Sequence, residues 1–150
     1  MISVANQQKI KKLFQVMARM QIPPAKEIGL IVVKKETLAD ISALAPNANL
    51  VTAFELTRET DAQEAINQLA ETVKSGRVAL VRLHEWLDPK IYNQLFLLSK
   101  NGRMEFPDVK ERAFIEAPKE ALVILVSTDQ ELEKLNYKNI FDLAGTVERL

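Results

Sequence analysis

Apolar positions recur along this chain at two spacings, three to four residues in some stretches and every residue in others, and the two kinds of stretch alternate. Ile10, Leu13, Phe14, Met17 and Met20 share one helical face, so residues 4–20 are predicted to form an amphipathic helix that ends before Pro23 and Pro24. Ile28, Leu30, Ile31, Val32 and Val33 follow without alternation, the mark of a strand buried on both faces. Thr37 and Asp40 have the form of a capping box ahead of Leu38, Ile41 and Leu44, a short helix stopped near Pro46. Residues 49–57 give a second strand. Asp61 and Glu64 then cap a helix striped by Ala62, Ile66, Leu69 and Val73, with Gly76 at its end. Val78 to Leu83 is the third strand. Asp88 and Pro89 open a helix through Ile91, Leu95 and Leu98 to Asn101-Gly102. Two alternating segments, 103–106 and 113–116, are predicted to form a hairpin. Leu122 to Val126 is a fourth strand, Thr128 and Glu131 cap a short helix through Leu135, and a final helix starts near Asn139.

Strands alternating with helices, and strands apolar on both faces, predict an α/β domain: a three-layer sandwich around a mainly parallel sheet of about four strands, plus a small hairpin. At 150 residues, with no repeat or Gly/Ser-rich linker, 1–150 is expected to be a single domain. Twenty basic residues balance twenty acidic ones, so no overall field draws the chain to nucleic acid or to an acidic membrane. The absence of cysteine removes disulfides, thiolate catalysis and sulfur-ligated zinc, and a single histidine removes multi-His metal sites. Apolar runs fall short of a bilayer span and no secretion signal follows Met1, so the expected location is cytoplasmic.

The order of segments carries more. Thr57-Arg-Glu-Thr-Asp61 follows the second strand; residues 76–87 run through the third strand to an acidic residue at its carboxyl end. Asp88-Pro-Lys-Ile-Tyr-Asn comes next, then Asn101-Gly-Arg and the hairpin, then Leu122-Val-Ile-Leu-Val-Ser-Thr-Asp129. This succession resembles the core of AAA+ ATPases, in particular the MoxR and midasin-like branch, over residues 28–150. The resemblance implies a strand order 1-4-3-2, with residues 1–22 as a preceding amphipathic helix. It also implies a degenerate site. The family cradles phosphates in a Gly-rich loop before a Lys and a Ser/Thr, whereas Val33-Lys-Lys-Glu-Thr37 contains no glycine. Lys35 and Thr37 would be its remnants, although a helix cap accounts for Thr37 fully.

The other matching positions depart too. His84-Glu85 stands where the family has Asp-Glu, and histidine suits Mg²⁺ poorly. His84 is read as structural or solvent-exposed, with a general-base role as the alternative. Arg82 on a covered sheet needs a carboxylate, and Arg82 with Glu85 is read as an internal or edge ion pair. Asp129 replaces the family's polar sensor, and the capping box Thr128-x-x-Glu131 explains the same residues without a nucleotide. No counterpart of the family's fifth strand or helical lid is expected after this point. Arg149 could match an arginine finger but is read as a surface residue.

These departures predict a non-catalytic AAA-like interaction or regulatory module, with no cofactor and no metal, that acts through a protein partner or self-association. Phe106, Val109 and Phe114 on the hairpin are candidate contacts, as is helix 4–20, where Lys9, Lys11, Lys12 and Arg19 flank the apolar stripe. One alternative is an unconventional NTP-binding or NTP-hydrolysing enzyme using Lys35, Glu85 and Asp129. A clamp-loader-like nucleic-acid-binding subunit ranks behind it, because aromatics make up only 6% of the chain and basic residues are interleaved with acids.

Overall fold

The computed structural model describes residues 4–19, 28–34, 51–106, 113–116, 118, 121–135 and 137–150, with Ala18, Val51, Phe106, 113–116, Tyr137 and Lys138 as backbone only. Its elements in chain order are α1 (Val4–Arg19), β1 (Ile28–Val32), β2 (Val51–Leu56), α2 (Ala62–Lys74), β3 (Val78–Leu83) and α3 (Pro89–Asn101). They continue with β4 (Arg103–Phe106), β5 (Ala113–Glu116), β6 (Leu122–Ser127), α4 (Asp129–Lys134), α5 (Tyr137–Leu143) and β7 (Ala144–Arg149). The Thr37 capping box, the helix over Leu38, Ile41 and Leu44, and the remnants Lys35 and Thr37 lie outside the described residues, as does Val109. The side chains of Phe106 and Phe114 do too.

Capping chemistry sets the helix ends. The Asp61 carboxylate accepts from the Glu64 amide at the start of α2, and Asp88 accepts from the Lys90 amide with Pro89 behind it in α3. Gly102 closes α3 at φ 68°, where its amide donates to Leu98; a side chain there would clash with the backbone. Between them the β-branched runs become parallel strands. β4 and β5 pair antiparallel as a separate two-stranded hairpin.

The main sheet has five parallel strands in the order β2-β3-β6-β1-β7. Strand count and full order differ from the expected four-stranded 1-4-3-2 sheet because β7 extends it beyond β1, while β1, β6, β3 and β2 keep that succession. The expectation of no fifth strand is corrected by the same finding. The physical reason is position: β7 is an edge strand whose residues alternate between half-buried and exposed, so Ala144–Arg149 lacks the apolar run that marks a covered strand. Its register on β1 skips one residue at Gly145.

Alternation along each strand builds two cores. Ile28, Leu30, Val32, Ala79, Val81, Leu83, Val123 and Leu125 face α2, α3 and α5. Ile31, Val33, Leu80, Ile124 and Val126 face the other way, against Ile10, Leu13 and Met17 of α1. The approach of α1 needs Gly29: a Cβ there would lie 2.5 Å from the Met17 sulfur. Among the described residues, no helix is long and apolar enough to cross a membrane.

Candidate functional site

Because the five strands run in one direction, their carboxyl ends lie together, and the loops leaving them carry most of the polar side chains singled out by sequence. β6 and β1 are tied there by the Val33 amide donating to the Ser127 carbonyl at 2.9 Å. The Ser127 hydroxyl donates in turn to the Leu83 carbonyl at 3.2 Å, locking β6 to β3.

Arg82 is the one long cation on the covered part of β3. Its side chain is 8% exposed, and its Nη2 lies 2.9 Å from Oε1 and 2.9 Å from Oε2 of Glu131, which is 14% exposed. The guanidinium also donates to the Leu83 carbonyl. The carboxylate that Arg82 requires is therefore Glu131, not Glu85, and the expected Arg82–Glu85 pair is corrected. Glu131 also completes the capping box of α4: it accepts from the Thr128 hydroxyl at 2.6 Å and the Thr128 amide at 3.2 Å, while its own amide donates to the Thr128 hydroxyl. Burial pushes the Glu131 carboxyl upward, but the Thr128 hydroxyl, the Arg82 guanidinium and the Thr128 amide together hold it below the ordinary glutamate range.

The remaining candidates diverge from one another. His84 Nδ1 lies 3.6 Å from Glu131 Oε2, and Nε2 lies 3.5 Å from Glu55 Oε1 without making a hydrogen bond. The imidazole thus sits between two carboxylates, as a half-buried extension of the Arg82–Glu131 cluster. Glu85 turns outward to Lys134 at 2.9 Å, and Asp129 turns to Arg149 at 3.0 Å. Arg149 is thereby accounted for by its own chain. The Arg58 guanidinium lies 5.5 Å from the ring centre of Trp86, which follows His84 and Glu85 in the same loop.

Sequence reasoning found Thr128 and Glu131 as a cap but missed Glu131 as the hub, and it missed Glu55. The usable signal was Arg82 itself: an arginine in an apolar strand demands a buried acid, and Glu131 is the acid that the β6–α4 junction brings to the end of β3. Among the described residues, no group of three or more His, Asp or Glu side chains could hold a metal ion.

No family model matches this chain, and no curated protein matches it. Solved structures do. NtrX from Brucella abortus in complex with ADP superimposes with a TM-score of 0.52 at 14% identity, over 99% of this chain and 36% of that one. A second structure of NtrX from the same organism gives 0.48 at 13% identity, over 97% and 39%. The chain thus spans little more than a third of the solved chains that it matches, and the likeness is one of fold.

Proposed function

We propose that this chain is an AAA-like interaction or regulatory module that does not hydrolyse nucleotide and works through protein assembly. The observation that carries the reading is the pairing of strand-end charges with one another. Glu85, the acid that the resemblance would assign to polarising water, is 2.9 Å from Lys134, and Asp129 is 3.0 Å from Arg149. Glu131, 14% exposed, is committed to Arg82 and to capping α4. A water-activating carboxylate has to face the reacting water, and here Glu85 and Asp129 each turn an oxygen to a surface cation of the same chain, while Glu131 is held by Arg82 and the α4 cap.

A second reading, nucleotide binding, is favoured by the fold likeness to an NtrX structure that holds ADP. One experiment separates the two. Thermal unfolding and phosphate release are followed with millimolar ATP or GTP and Mg²⁺. The module reading expects an unmoved melting curve and no phosphate release. A nucleotide at about 100 times its dissociation constant would add about 2.7 kcal/mol, visible as an upward shift of several degrees, and would replace it.

A further inference from the structure

The two edge strands of the main sheet are held differently. β2 sends Leu56 into the core and rests Phe54 against it. β7 places no residue among the buried ones: its side chains alternate between half-buried and exposed, and Val147 is 37% exposed. Its ties beyond the ladder include the exposed Arg149–Asp129 pair at 3.0 Å and the Lys9 Nζ donating to the Arg149 carbonyl at 3.4 Å. The ladder itself is regular only from Thr146 to Arg149, after the skip at Gly145. The strand beside it is the opposite case. Every residue of β1 is buried, and β6 holds its other side.

We propose that β7 is a displaceable strand: it leaves the sheet while the other four strands stay paired, and an extended segment of a partner protein takes its place on β1, parallel to it. The partner rests on the assembly role argued above; the opening does not. Opening β7 withdraws no buried side chain from either core, and Ala144 is the one apolar residue of β7 packed against one. Backbone pairing therefore carries most of what holds the strand. What then lies open is the backbone edge of a regular apolar strand, a template for pairing with another chain. The register of β7 shows what fits: Gly29 opposite Thr146, Leu30 opposite Val147, Ile31 opposite Glu148 and Val32 opposite Arg149, all parallel. The Leu150 amide donates to the Val32 carbonyl at 3.0 Å, so by the two-residue repeat the Thr146 and Glu148 amides face β1 as well. Main-chain bonds of this kind recognise an extended segment as such, and half-buried and exposed side chains add little selection beyond it.

Native-state hydrogen exchange of the 150-residue chain over low urea concentrations tests the opening. The Thr146 and Glu148 amides are expected to exchange through a state at least about 100-fold more populated than the one that exposes β6, with a shallower urea dependence. Glu148→Pro removes one of the donors that face β1 and should release β7 while the amides of β3 and β6 stay protected. The partner site is read with a fluorescein-labelled synthetic peptide of residues 143–150. It should bind Glu148→Pro at least about tenfold more tightly than the wild type, where β7 competes for the slot, and a scrambled peptide should bind neither. Amides of β7 as protected as those of β6, or loss of β3 and β6 protection in Glu148→Pro, would overturn the opening. A peptide that binds no better than its scrambled control, or a wild-type dimer formed by exchanging β7 between copies, would overturn the partner. A nucleotide that raised the melting temperature would sink the module reading and leave the opening standing.

Discussion

Two ion pairs at the strand ends share one geometry and differ in surroundings. Arg82–Glu131 and Glu85–Lys134 both close at 2.9 Å, and each joins β3 or the loop after it to α4. The first pair is 8% and 14% exposed, the second 55% and 60%. Distance alone would rank them equal. Solvent separates them: an exposed pair exchanges hydration for a screened attraction and gains little, whereas a covered guanidinium deprived of its acid has no water to turn to. Arg82 also has a fixed surrounding, with both Glu131 oxygens and the Leu83 carbonyl on its nitrogens. The covered pair is therefore part of the fold, while the exposed pair decorates it.

Truncating the hub gives the largest expected effect. Glu131→Ala leaves Arg82 covered and unpaired and removes half of the α4 cap, and should cost about 3–5 kcal/mol in urea unfolding. A loss below 1 kcal/mol would erase the distinction between the two pairs. Thr128→Ala tests the cap alone; a loss of about 1 kcal/mol is expected, because Arg82 keeps its partner.

The pH dependence sharpens the same contrast. The Glu131 carboxyl is held below its ordinary range in the folded chain, so it binds protons more weakly there than in the unfolded chain. Its contribution is then fully present above the ordinary glutamate range and is lost as pH falls through the lowered value. Unfolding free energy measured from neutral pH into the acid range should fall less steeply in Glu131→Gln than in the wild type. Smallest of all, Lys134→Ala and Arg149→Ala should each change stability by no more than about 0.5 kcal/mol, since both sit in exposed pairs.

The sequence disclosed what local chemistry controls. β3 has the expected bounds, α2 and α3 start at their expected caps, and Thr128 with Glu131 forms the expected box, because each depends on residues only a few positions apart. Two features were hidden. β7 escaped because an edge strand needs only one side of its backbone paired and tolerates glycine, arginine and glutamate among its residues. The partner of Arg82 escaped because Glu131 is 49 residues away, and only the adjacency of β3 and β6 in the sheet brings them together. The need for an acid was legible; its address was not. The same holds for Glu85 and Asp129, whose partners Lys134 and Arg149 come from elements that meet only after the sheet has formed.

The placement of β1 has a consequence for biosynthesis. Both of its neighbours, β6 and β7, are encoded about 90 residues or more downstream, so Ile28–Val32 leaves the ribosome without any strand to pair with. At translation speeds of about 5–20 residues per second, this five-residue apolar segment waits roughly 5–20 s for its first partner. When the segment emerges, α1 is the one described element already synthesised, and it covers only one of the strand's two apolar faces.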